Sequence, residues 1–163
     1  MKILLAVDGS PYSDMLVKEV ARRRWPPGSE VRILGCAHLK IPHVPDPILV
    51  YYSMRFELLE AERKRMHQVV NKAAEVLRER GAALKIEAEV LDGSPKDVIL
   101  NVAEEWGADL IVVGPHGYGP VKKFLLGSVS QAVASHARCS VEIVRGVSAD
   151  SKDKAAQPEQ ILS

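Results

Sequence analysis

The sequence contains little that could build a metal centre or a disulfide scaffold. Its two cysteines, Cys36 and Cys139, form no C-x-x-C pair, and none of the five histidines pairs with another at helical spacing. Zinc sites and disulfide frameworks need more of these residues at closer spacing. We interpret Cys36 as a small buried apolar residue and not as a reactive thiol.

The chain also lacks an excess of either charge. Its 22 lysines and arginines balance 21 acidic residues, for a formal net charge of +1, which leaves no basic footprint for a nucleic acid. The one cationic run, Arg22-Arg23-Arg24, comes at the end of a predicted helix, where positive charge suits the helix dipole. We interpret it as a solvated helix end and predict no nucleic-acid partner.

Long apolar runs are missing as well. No segment approaches the length of a membrane span, and the apolar run 3–7 before Asp8 is too short for the core of a secretory signal. With 163 residues, 47% of them hydrophobic, the chain suffices for one domain with a sizeable core. The expectation is a soluble cytoplasmic protein without membrane contact.

What the sequence does contain is a glycine-rich loop between a predicted strand and a predicted helix. Gly114-Pro115-His116-Gly117 follows the apolar run 110–113, and nine residues later Gly127-Ser128 precedes a helical pattern. Glycines let backbone N–H groups approach a phosphate, and a helix N-terminus favours negative charge. The spacing matches neither GxxxxGK[ST] nor GxGxxG. The loop predicts an anion site, although glycines that only punctuate a turn would have the same spacing.

Strand and helix patterns alternate along the chain. The predicted strands are 3–7, 30–37, 84–91, 110–113 and 141–145, and the predicted helices are 13–24, 54–80, 95–106 and 128–137. Three prolines make 38–53 an irregular excursion, and Gly81 and Gly107 are expected helix C-caps. Residues 1–146 are predicted to form one domain, and the polar residues 147–163 a disordered tail.

Such alternation is typical of right-handed βαβ units in an open parallel sheet. In these sheets ligands bind beyond the carboxyl ends of the strands, where the strand order reverses. Asp8 ends the first predicted strand and Gly114 follows the fourth. Both loops would therefore face one crevice if those two strands are neighbours.

Three stretches of the chain together resemble the universal stress protein family. They are Ile3-Leu4-Leu5-Ala6-Val7-Asp8-Gly9-Ser10, Val90-Leu91-Asp92-Gly93-Ser94-Pro95 and Gly107-Ala108-Asp109-Leu110-Ile111-Val112-Val113-Gly114. The glycine loop resembles that of the family's ATP-binding branch, and the resemblance covers about residues 1–145. It implies a doubly wound, Rossmann-like α/β fold of the adenine nucleotide alpha hydrolase type, with five parallel strands in the order 3-2-1-4-5.

The resemblance also implies an ATP site formed by three groups of residues. The residues that would frame the adenine are Ala6, Val7 and Cys36. The residues that would approach the ribose and phosphates are Val113, Gly114 and Gly117, and His116, which lies inside the same loop, could touch a phosphate. The residues that would hold phosphates through N–H groups and hydroxyls are Gly127, Ser128, Val129 and Ser130. Asp8 would orient the ribose or a phosphate-bound Mg²⁺.

Several of these assignments have a purely structural alternative. Asp8 could cap the turn before the first helix, although an unpaired carboxylate at a strand end would need a partner. His116 could be a solvated loop residue that touches no phosphate. Lys122 or Lys123 would neutralise phosphate charge unless their segment is a solvated loop.

The resemblance further implies a homodimer, because the last strand of relatives pairs across a dimer. The corresponding segment here is Val141–Arg145. Two positions depart from the family pattern: Ser140 stands where proline is common, and Glu142 stands where an apolar residue is usual. A charge on an exposed edge discourages edge pairing.

Three functions are compatible with these observations: an ATP-binding regulatory module that acts on a protein partner, a slow ATPase, and a stress scaffold that binds no nucleotide. The glycine loop argues against the last, because relatives that bind no nucleotide lack it. Phosphoryl transfer needs a metal, a positioned water and charge stabilisation. Because the sequence shows no Walker lysine and no obvious arginine finger, a binder that is at most a slow ATPase is favoured.

Overall fold

The computed structural model describes residues 1–39, 49–80, 84–117 and 126–145, with 49–53 as backbone alone. Strands and helices alternate along these ranges. The strands are β1 (Lys2–Val7), β2 (Glu30–Ala37), β3 (Lys85–Asp92), β4 (Leu110–Val113) and β5 (Ser140–Ile143). The helices are α1 (Pro11–Arg22), α2 (Leu49–Arg80), α3 (Pro95–Trp106) and α4 (Ser128–His136).

The five strands form one parallel sheet in the order β3-β2-β1-β4-β5, which confirms the predicted fold class and strand order. In the register, Ile3 of β1 pairs with Val31 of β2 on one side and with Leu110 of β4 on the other. Along the chain, β2 and β3 therefore extend the sheet on one side of β1, and β4 and β5 extend it on the other. The strand order reverses between β1 and β4.

Two apolar layers cover the two faces of the sheet. Leu5 and Val112 pack against α1 and α2 on one face, and Leu4 and Ile111 pack against α3 and α4 on the other. Every residue of β4 is buried, as expected for a continuous apolar run in a central parallel strand. The core thus explains why the central strands carry apolar residues at consecutive positions instead of alternating ones.

The helix starts differ from the predictions in two places. α1 begins at Pro11 and not at 13, because Ser10 is its N-cap and the Ser10 hydroxyl oxygen accepts the Ser13 N–H at 3.3 Å. The helix ends at Arg22, two residues before the predicted end at 24. The Ser-Pro pair is the same start signal that correctly predicted α3. α2 begins at Leu49, five residues before the predicted start, so 49–53 are helical and not part of an irregular excursion. Residues 40–48 of that predicted excursion lie outside the described residues.

The other boundaries agree with the sequence to within two residues. β5 ends at Ile143 and not at Arg145, although the Val144 N–H still donates to the Val113 carbonyl at 3.0 Å. Gly107 is the C-cap of α3, with a left-handed φ of 68°, as predicted. The expected cap at Gly81 and the expected tail 147–163 lie outside the described residues.

Arg23 and Glu142 form an ion pair that joins the end of α1 to β5. The two guanidinium NH groups of Arg23 donate to the two carboxylate oxygens of Glu142 at 2.6 and 2.5 Å. The interpretation of this arginine run as a solvated helix end is therefore wrong for Arg23. The Glu142 charge is neutralised within the chain, which removes the objection that it would repel a partner strand.

We expect the Arg23–Glu142 pair to make stability depend on pH. Arg23 holds the pKa of Glu142 below its usual value of 4.5, so the stabilisation is present above that value and is lost as the pH falls through the lower, folded-state pKa. Glu142→Gln should cost about 1 kcal/mol at pH 7, the upper range for a partly exposed bidentate pair, and less at pH 3.

Urea unfolding at both pH values measures this difference. The matched control is Glu104→Gln, because Glu104 pairs with Arg138 but both side chains are more than half exposed. That change should have little effect at either pH. Equal costs of Glu142→Gln at pH 7 and pH 3 would contradict the prediction.

Candidate functional site

A cavity of about 280 Å³ opens at the carboxyl ends of β1, β2 and β4. It lies beside the reversal of strand order, where open parallel sheets bind ligands, and its size is near the lower end, roughly 300 Å³, of small-molecule sites. All the residues assigned to the site from the sequence line this cavity. They are Ala6, Val7, Asp8, Cys36, Val113, Gly114, His116, Gly117, Gly127, Ser128, Val129 and Ser130.

The loop glycines permit close packing and not an unusual backbone conformation. None of Gly114, Gly117 and Gly127 has a positive φ. A β-carbon on Gly117 would lie 2.7 Å from Asp8 Oδ2, and one on Gly127 would lie 3.2 Å from the Pro115 carbonyl oxygen. The bare α-carbons therefore let the β4–α4 loop close on the end of β1 and on the start of α4.

Two donors that the sequence assigned to phosphate are engaged within the protein. The Gly127 N–H donates to the Pro115 carbonyl at 2.7 Å, and the Ser130 hydroxyl donates to the Gly114 carbonyl at 2.5 Å. Both bonds tie the start of α4 to the loop that follows β4. These two donors hold the loop in place, so an anion would depend on other groups of this helix.

The N-terminus of α4 supplies such groups. Gly127 is its N-cap and contributes no side chain, so no side-chain hydrogen bond caps the helix. The N–H groups of Ser128, Val129 and Ser130 belong to the first turn of the helix, whose N–H groups are not paired within the helix. Together with the positive end of the helix dipole, they make this wall of the cavity suitable for an anion.

Asp8 ends β1 and is held by the turn that follows it. Its Oδ1 accepts the Ser10 N–H at 2.9 Å and the Ser13 hydroxyl at 2.6 Å, and its own N–H donates to Ser13 Oγ at 2.9 Å. Asp8 therefore caps the turn before α1, as in the structural alternative given above. It also faces the cavity, with Oδ2 directed at Gly117.

His116 brings a polar ring atom into the loop. Its Nδ1 is buried and has no hydrogen-bond partner among the residues that the structure describes, whereas buried polar atoms are normally paired. The ring packs edge-on against Tyr12, with the two centroids 5.7 Å apart at an angle of 72°. A β-carbon on Gly127 would lie 3.9 Å from Nδ1, so this nitrogen lies next to the start of α4.

The opposite end of the cavity is apolar. Ala6, Leu34, Ile99 and Val113 line it together with Cys36. Burial raises the pKa of the Cys36 thiol to about 12, so the thiol stays protonated and uncharged at neutral pH. This agrees with the interpretation of Cys36 as a packing residue.

Helix α2 contributes a wall that the sequence did not reveal. Glu62 accepts two hydrogen bonds from Arg65, at 2.8 and 2.7 Å, and Arg65 Nη1 donates to the Asp8 carbonyl at 3.1 Å. An arginine thus lies at the site although none was expected. The other lining residues that were not assigned from the sequence are Ser13, Leu34, His38, Met66, Pro95 and Ile99.

The only sequence signal for this wall was a stripe of apolar residues at helical spacing in α2, formed by Met66, Val69, Val70, Ala73, Val76 and Leu77. Met66 belongs to that stripe, and Glu62 lies one helical turn before it. Which turn of a 32-residue helix meets the end of β1 depends on tertiary packing. Lys122 and Lys123 lie outside the described residues.

Neither a multidentate metal centre nor a membrane-spanning helix occurs in the part of the chain that the structure describes. In those ranges no three side chains among His, Cys, Asp and Glu come together to hold a metal ion. Their helices also lack the combination of length and apolar composition needed to cross a membrane.

The doubly wound parallel sheet, with a glycine loop at its switch point, defines a Rossmann-like α/β fold. The model of the universal stress protein family matches residues 1–145, and the chain belongs to this family. It is 35% identical over 143 residues to a universal stress protein from Thermus aquaticus, which covers 88% of this chain and 97% of that protein.

Solved structures agree with this assignment. Universal stress protein UspA from Lactobacillus plantarum superposes with a TM-score of 0.75 at 25% identity, covering 89% of this chain and 97% of that one. A universal stress protein in complex with cAMP superposes with a TM-score of 0.65 at 25% identity, with the same coverage of both chains.

Proposed function

We propose that this protein is an ATP-binding regulatory module that holds the nucleotide between the carboxyl ends of β1 and β4 and acts on a protein partner according to its bound state. The observation that carries the proposal is the N-terminus of α4, which faces the cavity without a capping side chain. An adenine nucleotide combines an apolar base with anionic phosphates, and the cavity combines an apolar end with an anion-binding end. The structural relative in complex with cAMP supports this ligand class.

The apolar end of the cavity suits the adenine. The backbone of Ala6 and Val7 and the end of β2 at Cys36 would frame the base, and the uncharged thiol adds an apolar surface there. Val113 and Gly114 would lie beside the ribose. Burial of an aromatic base against such side chains contributes affinity, and backbone groups contribute specificity.

The phosphates would lie at the start of α4. The first-turn N–H groups of Ser128, Val129 and Ser130 are the donors, and the exposed Ser128 adds its hydroxyl. His116 would donate from Nδ1 in the tautomer that carries the proton there, which would satisfy its buried nitrogen. Gly117 and Gly127 would keep the loop free of β-carbons around the anion.

Asp8 is the candidate ligand for Mg²⁺. Magnesium in nucleotide sites keeps several waters and takes one or two protein carboxylates besides the phosphates. Of the two carboxylates that line the cavity, Glu62 is paired with Arg65, so Asp8 is the one that fits this requirement. The ion would offset phosphate charge when bound. Asp8 would hold it through the oxygen that lies beside Gly117.

Regulation is favoured over catalysis by the way the charged groups are held. Arg65 is paired with Glu62 and bonded to the Asp8 carbonyl, and Asp8 is bonded to Ser10 and Ser13. Groups held in this way bind a nucleotide without supplying a mobile acid, base or arginine finger. A slow ATPase is the alternative.

The proposal includes a cytoplasmic location, as predicted from the sequence.

The proposal also includes a homodimer formed by antiparallel pairing of the strands at 141–145. β5 is an edge strand of the sheet. The N–H groups of Ser140 and Val144 donate inward to the β4 side, so strand alternation points the Ile143 N–H to the open edge. Glu142 is neutralised by Arg23 and does not oppose pairing.

Native mass spectrometry of protein purified from cells tests the nucleotide and the dimer together. We expect twice the 17.9 kDa chain mass with bound adenine nucleotide. Ile143→Pro should give monomers, because it removes an outward donor while leaving the bonds to β4 intact. Ile143→Val keeps the N–H and serves as the control.

Two outcomes would contradict these proposals separately. A dimer that is unchanged in Ile143→Pro would show that β5 is not the interface. Wild-type protein that takes up no adenine nucleotide even at saturating ATP would refute the binding function, whatever its oligomeric state.

A further inference from the structure

We propose that the first turn of α1 positions two polar side chains of the site: Ser13 orients the Asp8 carboxylate, and Tyr12 orients the His116 ring. This inference rests on the proposed function, because it concerns how the same site recognises its nucleotide. It assigns roles to two residues that sit next to each other in the helix and that the sequence pattern did not single out.

Ser13 holds Asp8 through two hydrogen bonds to one hydroxyl. The Ser13 oxygen accepts the Asp8 N–H at 2.9 Å, and its hydrogen is donated to Asp8 Oδ1 at 2.6 Å. Ser13 itself is only 5% exposed. The hydroxyl therefore fixes both the backbone and the side chain of Asp8 at the end of β1.

This arrangement decides which carboxylate oxygen faces a ligand. Oδ1 receives the Ser10 N–H as well as the Ser13 hydroxyl, so it is committed to the turn. Oδ2 lies on the Gly117 side, where a β-carbon would come within 2.7 Å. Without the Ser13 hydroxyl, the Ser10 N–H alone would hold Oδ1, so the carboxylate would rotate more easily and Oδ2 would be less firmly placed.

Tyr12 acts on the other side of the loop. Its ring meets the His116 ring edge-on, and its β-carbon would lie 3.4 Å from a β-carbon on Gly114. The contact restricts the rotation of His116 and keeps Nδ1 beside the start of α4. Tyr12 does not line the cavity, so it would influence a nucleotide only through His116.

Helix α1 thus positions two side chains, those of Asp8 and His116, that belong to different loops. Ser10 caps α1, and the helix packs into the core through Leu16 and Val20. Side chains that a packed helix holds in position are more accurately placed than side chains on a loop. Preorganisation of this kind raises affinity because the groups need not be ordered when the ligand binds.

A double-mutant cycle tests the Ser13 assignment. Ser13→Ala should lower the calorimetric affinity for ATP with Mg²⁺ about tenfold, the size of one hydrogen bond to a charged group. In the Asp8→Asn background the same change should have no further effect, because Ser13 acts through Asp8. Ser29→Ala is the matched control. Ser29 is also buried and hydrogen-bonded, but it lies just before the amino end of β2, whereas the site lies at the carboxyl ends of the strands.

The same design applies to Tyr12. Tyr12→Leu should lower affinity about three- to tenfold, the range of an aromatic pair, and should have no effect in the His116→Ala background. Tyr12→Phe keeps the ring and should bind like the wild type. Losses that add fully in either cycle would overturn the positioning role of that residue, because a merely structural effect is independent of Asp8 and His116.

Hydrogen exchange of the ligand-free protein separates this inference from the proposed function. The Asp8 amide should exchange faster in Ser13→Ala than in the wild type or in Ser29→Ala. An unchanged rate would refute the Ser13 assignment even if ATP binds. A wild type that binds no nucleotide would instead refute the proposed function, and with it the role of both residues in recognition.

Discussion

Replacing Gly127 by aspartate is expected to lower the affinity for ATP about 100-fold or more. Gly127 is the N-cap of α4, and an aspartate at that position accepts hydrogen bonds from the first-turn N–H groups. The new carboxylate would occupy the donors that we assign to phosphate, and its charge would repel the anion. Because aspartate is a favoured N-cap, the free energy of unfolding should change by less than about 1 kcal/mol.

Two further substitutions separate the causes. Gly127→Ala places a β-carbon 3.2 Å from the Pro115 carbonyl without adding a carboxylate, and it should cost less than about tenfold in affinity. Gly127→Asn caps the helix without charge and should fall between the two. Titration calorimetry with ATP and urea unfolding measure both quantities. If folded Gly127→Asp binds ATP as tightly as Gly127→Ala, the phosphates do not lie at α4.

Bound ATP is expected to turn over far more slowly than the roughly 1–100 per second that is typical of kinases. Backbone N–H groups bind the ground state and the transition state about equally, and such uniform binding does not accelerate the chemical step. Asp8→Asn should reduce the gain in affinity that Mg²⁺ provides by about tenfold. It should leave the rate of phosphate release unchanged.

Single-turnover assays with labelled ATP, combined with affinities measured with and without Mg²⁺, test this expectation. Asp14→Asn is the control, because Asp14 is also near the start of α1 but is exposed and paired with Lys72 at 3.5 Å. It should alter neither quantity. Rapid phosphate release that is lost in Asp8→Asn would make the protein an enzyme and would exclude the regulatory module.

The elements of this fold could be predicted because their signals are local. Apolar runs such as 110–113 mark buried parallel strands, and Ser94-Pro95 and Gly107 mark the two ends of α3. The one comparable signal that was not used, Ser10-Pro11, accounts for the error at the start of α1. The strand order came from the resemblance to a family and not from periodicity, because local pattern does not determine which strands become neighbours.

The residues of the site could also be predicted only in part. The glycine loop and Asp8 were found because each follows a strand, and parallel strands bring their carboxyl ends to one edge. Arg65 was missed because no local pattern shows which turn of α2 reaches the end of β1. The partner of Glu142 was missed because Arg23 lies 119 residues away in the chain.

By itself, the sequence determined the alternation of elements, the parallel sheet and the position of an anion-binding loop, since these follow from local periodicity and from glycine spacing. Tertiary structure alone decided which donors of that loop stay available. It engaged Gly127 and the Ser130 hydroxyl with neighbouring carbonyls, bound Asp8 Oδ1 within the α1 turn and brought Arg65 to the site. The physical reason is that each polar atom takes the nearest partner that packing offers, and packing depends on contacts between residues far apart in the chain.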